Sequence, residues 1–428
     1  MNICIIGSGY VGLTSAAVLA DLGHHVICVD KDKNKIHSLQ KGECPIYEPG
    51  LKELIHKNRN RLKYCHEINQ AIQLSSVIII TVGTPSTSNG KTDLTYFYSV
   101  IDSLVPAITS YKTIITKSTV PPGTNQYLYE TLIKKGVSPS LFNVVSNPEF
   151  LREGSAVHDM FFPDRTIIGV QKNDKKSFEI IKNIYKNIHA PFLWTGLNEA
   201  EMIKYTANAF LATKISFINE IARICDVYHI DVVEVAKGIG YDFRINPHFL
   251  QAGLGYGGSC FPKDLQSLIY TATDRQVTVP ILQAVQSINS TQVDLYIEKI
   301  KNCIEQPAKK ITILGISFKP HTDDIRSSLA ITLLEKLIPL GYDLHTYDPK
   351  AVLPNHLNKY VTQHERLEPS IMNSDCIVIA TEWDEFKLLN WKQVKQAMRG
   401  DLIVDGRNCL TKEEIEKSRL RYVGVGRS

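Results

Sequence analysis

The 428-residue sequence lacks the features that mark several large classes of protein. No uninterrupted apolar run approaches the ~18 residues that a membrane-spanning helix needs, so we expect no membrane partner. The net charge is only +4, from 48 basic and 44 acidic residues, so we expect no nucleic-acid partner. No basic segment precedes the apolar start of the chain, which argues against a secretory signal. Internal repeats of the solenoid or propeller type are also absent.

Cysteine spacing excludes two further classes. The nine cysteines are an odd number, and no two of them are separated by only two residues. We therefore expect neither a disulfide framework nor a zinc site, and we predict no metal. Reduced thiols fit the cytoplasm, which is the predicted location.

The remaining composition, 43% apolar and 21% charged, is that of a globular chain long enough for two or three domains. β-rich runs alternate with amphipathic helical stretches in the first part of the chain, which predicts a parallel sheet built from βαβ units. The predicted strands there cover residues 2–7, 25–30, 77–82, 113–117, 143–146 and 165–170.

The pattern becomes helical in the middle of the chain. One long helix is predicted over 198–229, and two more follow Pro262 and Pro280. Alternation then returns, with strands over 310–316, 343–347, 375–380 and 401–404 and a helix over 328–340. The polar stretch 302–310 is a plausible boundary. We predict α/β, helical and α/β domains over 1–196, 197–300 and 301–428.

A glycine pattern follows the first predicted strand directly. Gly7, Gly9 and Gly12 have the spacing of a dinucleotide-binding turn, and Asp30 ends the next strand 18 residues later. The carboxylate of Asp30 can accept hydrogen bonds from ribose hydroxyls and would repel a 2′-phosphate. The pattern therefore predicts NAD rather than NADP as cofactor, although Lys35 and its neighbouring lysines weaken that repulsion.

The third predicted domain has a similar but incomplete turn. Gly315 follows its first strand, but the second and third glycines are missing. This turn predicts a related sheet that binds a ligand smaller than a dinucleotide, or none.

The segment around Cys260 is the most informative in the sequence. Four glycines in 253–258 lead to this cysteine, and Pro262 suits the first turn of a following helix. A helix N-terminus and Lys263 would stabilise a thiolate, and Asp264 is close enough to assist. We interpret Cys260 as a nucleophile and the other eight cysteines as small apolar side chains.

Further polar residues are candidates for the same chemistry. Lys204 and Asn208 are four residues apart on the long helix and could stabilise an oxyanion together, although such a pair is more often a solvated face. Thr84, Thr119 and the segment 147–154 each follow a predicted strand, where ligands of parallel sheets bind.

These motifs together resemble the nucleotide-sugar 6-dehydrogenases. The resemblance runs through nearly the whole chain and includes 47–51, 83–85, 118–124, 147–154, 257–264, 318–320 and 324–326. It implies an α/β fold of two Rossmann-like doubly wound domains joined by a long central helix. It also implies oxidation of a sugar C6 alcohol twice, with two NAD per sugar.

The resemblance assigns roles to individual residues. Cys260 is the expected nucleophile, forming a thiohemiacetal and then a thioester. Lys204 and Asn208 would stabilise oxyanions, while Asp264, Glu149 and Thr119 would position water and move protons. The expected NAD-binding residues are Gly7, Gly9, Tyr10, Val11, Gly12, Asp30, Lys35, Thr84, Thr119, Glu153, Lys263 and Arg326.

The resemblance also predicts the substrate site and the assembly. The expected substrate-binding residues are Glu149, Phe150, Leu151, Arg152, Lys204, Asn208, Arg244, Phe249, Leu250, Gln251, Ala252, Gly253, Gly257 and Lys319. Arg244 resembles the arginine that reaches a neighbouring subunit's substrate, which predicts a homodimer.

Three alternatives remain within and beyond the family. Ser259 separates this chain from the N-acetylhexosamine branch, where histidine is expected. The segments 249–253 and 261–265 are more similar to the UDP-glucose branch than to the GDP-mannose branch, which is the main competitor. A catalytically silent NAD-binding regulator is a third interpretation, but Cys260, Lys204, Asn208 and Asp264 are all intact.

Overall fold

The computed structural model describes residues 1–304 and 309–427. The chain divides into two units. The first unit comprises Met1–Ala207 and Gln266–Asp274, and the second comprises Asn208–Leu265 and Arg275–Ser428. The predicted boundary at 302–310 includes residues 305–308, which lie outside the described residues. The predicted division into three domains stays a prediction.

The first unit contains an eight-stranded sheet. Its strands are β1 (Asn2–Ile6), β2 (His25–Val29), β3 (Leu62–Cys65), β4 (Val77–Ile80), β5 (Lys112–Thr116), β6 (Phe142–Ser146), β7 (Thr166–Val170) and β8 (Phe192–Gly196). Its helices before residue 197 are α1 (Tyr10–Asp21), α2 (Lys33–Gln40), α3 (Leu51–Lys57), α4 (Ile68–Leu74), α5 (Thr95–Ala107), α6 (Thr124–Lys134), α7 (Ala156–Phe161) and α8 (Lys175–Ile184), with a 3₁₀ turn at Pro139–Leu141.

The strand order is β3-β2-β1-β4-β5-β6-β7-β8. Strands β2 and β3 are therefore added on one side of β1, and the later strands on the other side, beginning with β4. Open α/β sheets bind ligands at such a switch point. All strand pairs are parallel except β6 and β7, which are antiparallel. The prediction of a parallel sheet is therefore wrong at this one pair. Since β7 starts at the edge where β6 ends, the segment between them stays at that edge.

Apolar cores cover both faces of this sheet. Ile3 and Ile5 pack into one core, while the alternating residues Cys4 and Ile6 pack into the other. Strands that are buried on both faces have continuous apolar sequences, as in 77–80 of β4, where all four residues are buried. This burial explains why the central strands could be predicted.

The middle of the chain is helical, as predicted. Its helices are α9 (Leu197–Tyr228), α10 (Val232–Gly240), α11 (Phe261–Asp274) and α12 (Pro280–Cys303). The long helix α9 agrees within one residue at each end with the predicted 198–229. Both α9 and α11 contain residues of both units.

Among the residues that the structure describes, no helix combines the length and the apolar character needed to cross a membrane.

The second unit contains a six-stranded parallel sheet with the order β11-β10-β9-β12-β13-β14. Its strands are β9 (Lys310–Leu314), β10 (Asp343–Tyr347), β11 (Val361–Gln363), β12 (Cys376–Ile379), β13 (Leu402–Asp405) and β14 (Arg421–Val423). The helices that follow β9 are α13 (Leu329–Leu337), α14 (Leu367–Ile371), α15 (Asp384–Lys387), α16 (Trp391–Ala397) and α17 (Lys412–Lys417), with 3₁₀ turns at Ile338–Leu340 and Asn355–Leu357. The two α/β parts confirm the predicted fold class.

Two differences from the predicted elements have clear causes. The helix predicted over 328–340 ends at Leu337 and continues as a 3₁₀ turn, because Pro339 has no N–H to donate to the preceding turn. The strands β3, β8, β11 and β14 were not predicted. All four lie at sheet edges, where half-exposed sequences lack a continuous apolar run.

Candidate functional site

The turn between β1 and α1 has the shape that a dinucleotide diphosphate needs. Gly7 has a φ of +104°, and a Cβ on Gly12 would lie 1.9 Å from the carbonyl oxygen of Gly7. At Gly9, the N-cap of α1, no atom lies within 4 Å of an added Cβ, so a ligand can approach the backbone. Thr81 closes the turn, since its hydroxyl donates to the carbonyl of Gly7 at 2.8 Å. These residues fit a diphosphate at the helix N-terminus.

Asp30 is held at the end of β2 by the same turn. Its carboxylate accepts hydrogen bonds from the N–H and the hydroxyl of Ser8 at 2.9 and 2.8 Å. Burial favours a raised pKa for Asp30, but N–H donors from Asp32 and Ser8 outweigh it and the pKa is lowered. Lys35 lies 3.5 Å from the carboxylate. Asp30 is therefore an ionised acceptor, and Ser8 is a partner that the sequence did not identify.

The loops after β4 and β5 are bound to each other. The hydroxyl of Thr84 donates to the carbonyl of Thr119 at 2.7 Å in a buried position. Ser118 donates to the carbonyl of Val82 at 2.7 Å. These two hydrogen bonds fix Thr119 beside Thr84, and both residues were predicted to contact the cofactor.

Lys204 and Glu149 form a buried ion pair. The ammonium nitrogen lies 3.2 Å from a carboxylate oxygen, and the side chains are only 4% and 7% exposed. The other oxygen of Glu149 accepts from the N–H of Leu151 at 2.5 Å. The ring of Phe150 contacts two cations, with its centroid 5.1 Å from Lys204 Nζ and 3.9 Å from the guanidinium carbon of Arg165. Lys204 is thus not on a solvated face.

The rest of the segment 149–154 is held by neighbouring carboxylates. The guanidinium of Arg152, a predicted substrate contact, pairs with Asp159 at 2.6 Å. The N–H of Gly154, next to the predicted cofactor contact Glu153, donates to the hydroxyl of Tyr10 and to Glu48, each at 2.7 Å. The sequence analysis noted the motif 47–51 but did not assign this role to Glu48.

A second overlooked carboxylate belongs to Glu201 on α9. It is buried and accepts three hydrogen bonds from the backbone and side chain at the start of α6. Burial raises the pKa of Glu201 to about 7, although the N–H donors of Asn125 and Gly123 oppose the shift. Only the fold brings it to α6, because Gly123 and Glu201 are 78 residues apart in sequence.

In the second unit, Cys260 lies immediately before α11, as the sequence predicted. Its side chain is partly buried, and its sulfur lies 3.6 Å from the hydroxyl of Ser259. The carbonyl of Cys260 accepts from the N–H of Asp264 at 2.9 Å, which forms the first turn of the helix. The thiol therefore lies at the positive end of a 14-residue helix, where a thiolate is stabilised.

Asp264 contacts the predicted catalytic residue Asn208 and the predicted cofactor contact Lys263. The amide nitrogen of Asn208 donates to one of its oxygens at 2.6 Å, and the ammonium of Lys263 pairs with the other. Both Asn208 and Asp264 are buried. Both oxygens of this buried carboxylate have partners, so the cluster places a carboxylate, an amide and an ammonium one turn after Cys260.

Polar side chains that are buried or partly buried fix the glycine-rich loop that leads to Cys260. Asn219 accepts from the N–H of Gly253 at 2.8 Å, and Gln292 donates to the carbonyl of the same residue at 2.9 Å. Asn289 binds both the N–H and the carbonyl of Tyr256. None of these supporting amides was predicted, since they lie on helices with ordinary amphipathic patterns.

The remaining predicted substrate residues of the second unit lie around this loop. Phe249 has a φ of +65°, and its ring centroid lies 6.2 Å from that of Phe261. Gln251 donates to the carbonyl of Arg407 at 3.1 Å. Leu250, Ala252 and Gly253 are buried, Gly257 packs against the carbonyl of Ser327, and Lys319 is partly buried.

Two arginines that were predicted to bind ligands are exposed, and each is paired with a nearby aspartate. The guanidinium of Arg244 lies 2.6 Å from Asp242 and is 75% exposed. The guanidinium of Arg326, a predicted cofactor contact, lies 2.6 Å from Asp324. The carbonyl of Arg326 also accepts from the N–H of Gly258, so its backbone supports the glycine-rich loop.

The first turn of the second sheet repeats the arrangement found in the first. Asp348, at the end of β10, accepts from the N–H groups of Ile316 and Ser317 at 2.7 and 2.9 Å and from the hydroxyl of Ser317 at 3.0 Å. Gly315 has a positive φ, as Gly7 does in the first turn. This turn lacks the open second glycine of the first, which fits the predicted smaller ligand.

A matched pair of helical glycines tests the dinucleotide turn. Gly12→Ala places a methyl group against a backbone carbonyl, so we expect a loss of about 1–3 kcal/mol in stability and a large loss of NADH affinity. Gly238→Ala on α10 is the control, because no atom lies within 4 Å of its added Cβ. Fluorescence titration with NADH and thermal unfolding measure both effects. Equal NADH affinity in the two variants would contradict this interpretation of the turn.

Comparison with known proteins agrees with this geometry. Residues 1–189, 198–291 and 312–412 match the NAD binding domain, the central domain and the UDP binding domain of the UDP-glucose/GDP-mannose dehydrogenase family. The chain is 54% identical over 428 residues to a Bacillus subtilis (strain 168) protein provisionally named UDP-glucose 6-dehydrogenase YtcA, with 100% of both chains covered. It is 40% identical over 438 residues to UDP-glucose 6-dehydrogenase of Rhizobium meliloti (strain 1021), again with 100% of both covered.

Solved structures give the same result. A UDP-glucose dehydrogenase from the hyperthermophilic archaeon Pyrobaculum islandicum has a TM-score of 0.91 at 32% identity, covering 100% of this chain and 98% of that one. The family resemblance, the fold class and NAD as cofactor are thereby confirmed. The chain belongs to the UDP-glucose/GDP-mannose dehydrogenase family, and it is an NAD-dependent dehydrogenase.

Proposed function

We propose that this dehydrogenase oxidises the C6 alcohol of UDP-glucose twice and that Cys260 holds the intermediate between the two oxidations. The UDP binding domain matched by residues 312–412 and the names of the relatives support UDP-glucose as substrate. One UDP-glucose, one water and two NAD⁺ give one UDP-glucuronate, two NADH and three protons.

NAD, when bound, accepts one hydride in each oxidation. The first oxidation removes a hydride from C6 and a proton from its hydroxyl, so negative charge develops on that oxygen. Lys204 suits this step because its ammonium is buried and lies 3.2 Å from a carboxylate oxygen of Glu149. A buried cation stabilises a developing oxyanion more strongly than a hydrated one does. We assign proton transfer to Glu149 and Thr119.

The covalent step begins at the resulting aldehyde. The Cys260 sulfur bonds to C6, and the carbonyl oxygen gains a proton to give a thiohemiacetal. The second oxidation removes the C6 hydride and the hydroxyl proton, leaving a thioester. Water then adds to C6, the carbon–sulfur bond breaks, and the thiol is restored as the carboxylate leaves. Capture by sulfur keeps the reactive aldehyde out of solution.

The hydrogen bond between Asn208 and Asp264 is the observation that carries this assignment. At 2.6 Å and in a buried setting, it places a carboxylate and an amide one helical turn from Cys260. The carboxylate can position the hydrolytic water, and the amide N–H can bind an oxyanion. A structural cysteine would not need a charged cluster of this kind beside it. The same intact cluster argues against a silent NAD-binding regulator.

Removal of the thiol tests the covalent step. The wild type should give two NADH per UDP-glucose without detectable free aldehyde. Cys260→Ala should lose the second oxidation, and Cys260→Ser should turn over several orders of magnitude more slowly because a serine hydroxyl is the weaker nucleophile. Absorbance of NADH gives the stoichiometry, and mass spectrometry detects any sugar adduct on the serine.

Cys44→Ser serves as the matched control, since Cys44 is also partly buried but lies in the first unit among apolar residues. This variant should still produce two NADH per UDP-glucose. Near-normal production of two NADH by Cys260→Ala would show that the thiol is structural.

The choice of sugar nucleotide needs a separate assay. We expect the highest kcat/KM for UDP-glucose when it, GDP-mannose and UDP-N-acetylmannosamine are each supplied alone with NAD. This expectation rests on the similarity of the segments 249–253 and 261–265 to the UDP-glucose branch of the family. A higher kcat/KM for GDP-mannose would assign the chain to the competing branch.

We further propose a homodimer in which Arg244 reaches the partner's substrate. The second-unit part of α9 carries large exposed apolar side chains along its length: Phe210, Phe217, Ile224 and Tyr228. Tyr241 and Phe243 beside Arg244 are 80% and 91% exposed. Exposed apolar patches of this extent mark protein interfaces, and a second copy of the chain is the occupant that also explains Arg244.

An exposed arginine elsewhere provides the control for this proposal. Arg244→Ala should raise the KM for UDP-glucose while the KM for NAD and the melting temperature stay unchanged. Arg366→Ala should change none of these, since Arg366 is equally exposed and also lies beside a carboxylate. Sedimentation of the wild type as a fully active monomer would refute the shared site.

The other assignments made from the resemblance are proposals as well. They comprise the individual NAD and substrate contacts, the three-domain division and the cytoplasmic location. The matches of residues 1–189, 198–291 and 312–412 to three family domains support the division. The hydrogen bonds within each unit described above support the binding contacts, and the cysteine spacing of the sequence supports the location.

A further inference from the structure

Glu201 links the long helix α9 to the start of α6. One of its oxygens accepts from the N–H of Gly123 at 2.6 Å. The other accepts from the N–H and from the side-chain amide of Asn125, both at 2.8 Å. The side chain is 2% exposed, so three donors hold both of its oxygens away from water.

The segment held by Glu201 is the one that carries Thr119. This segment runs from β5 to α6, and Thr84 holds its first part through the carbonyl of Thr119 at 2.7 Å. Pro121 and Pro122 lie between Thr119 and Gly123, and the carbonyl of Pro121 accepts from both the N–H and the hydroxyl of Thr124. Fixed proline φ angles leave this segment little freedom. Movement at Gly123 is therefore passed on to Thr119.

The other end of the link lies one turn before Lys204. Residues three apart in a helix share a face, so Glu201 and Lys204 extend from α9 in similar directions. Lys204 pairs with Glu149, which follows β6, while Glu201 binds the segment that follows β5. The first turns of α9 thus fix two neighbouring strand-end segments at once.

A simple helix cap does not account for this carboxylate. Helix α6 has Gly123 as its N-cap and no capping side chain of its own. A serine or aspartate at the cap would satisfy the free N–H groups locally and stay near solvent. A buried glutamate is the more expensive solution, as its pKa of about 7 indicates. Unlike a local cap, Glu201 also connects α6 to α9.

We propose that Glu201 is a positioning residue, which holds the Thr119 segment against α9 so that Thr119 and Lys204 keep fixed relative positions during the reaction. This proposal rests on the role proposed above for Thr119.

A double-mutant cycle with Thr119 tests the proposal in the full-length enzyme. Glu201→Gln keeps the size of the side chain but turns an amide donor toward the N–H donors. We expect kcat to fall about tenfold and the KM for NAD to rise, because small misplacements of reacting groups slow catalysis, while the KM for UDP-glucose stays within about twofold. In a Thr119→Ala background, Glu201→Gln should lower kcat by less than about twofold further.

Asp174→Asn is the matched control. Asp174 also caps a helix, α8, by accepting from the N–H of Ser177 at 2.9 Å, but it has no part in the proposed chemistry. This variant should lose some thermal stability and keep wild-type kinetics. If Glu201→Gln fails to fold, Asn125→Ala removes one of the three donors and should show the same kinetic changes at smaller size.

The outcomes separate this proposal from the one on which it rests. Wild-type kinetics in Thr119→Ala would remove the role of Thr119 and this proposal with it. A second outcome is that Thr119→Ala lowers kcat but Glu201→Gln lowers it by about a further tenfold in that background. This outcome would overturn the positioning role of Glu201 and leave the role of Thr119 intact. So would an effect of Glu201→Gln on thermal stability with both KM and kcat unchanged.

Discussion

A parallel sheet brings the carboxyl ends of its strands to one edge, and the candidate site of the first unit depends on this constraint. The glycine turn follows β1, Asp30 follows β2, Thr84 follows β4 and Thr119 follows β5. The antiparallel strand β7 preserves the arrangement, because it begins at the edge where β6 ends and so keeps Glu149 there. Residues up to 142 positions apart in sequence thereby share one edge.

Buried carboxylates with charged or amide partners lie at these strand and helix ends. Lys204 is paired with Glu149, and Asp264 is bound by Asn208 and Lys263. Removing one partner from such a pair costs about 3–5 kcal/mol because it leaves an uncompensated buried charge. In the proposed reaction, the same low dielectric would strengthen the attraction between the buried ammonium of Lys204 and a developing oxyanion. Under the proposed mechanism, stability and reactivity depend on the same contacts.

The two sheets show how one architecture accommodates different ligands. Both reverse direction after their first strand, and in both a carboxylate at the end of the second strand binds the first turn, at Ser8 and at Ser317. The first turn continues with glycines that open it to a diphosphate. The second has Ser317 and then Pro320 at the equivalent spacings, which leave less room for a ligand near the backbone.

The sequence by itself determined the buried strands, the long helix α9, the dinucleotide turn and the position of Cys260. These features depend on local patterns: continuous apolar runs, helical periodicity and glycines at fixed spacing. Only the tertiary structure decided the edge strands, the direction of β7 and the partners of the buried charges. Edge strands have mixed polarity, and strand direction depends on how a connection folds back. Glu201 shows the same limit, because its burial follows from contacts with residues far away in the chain.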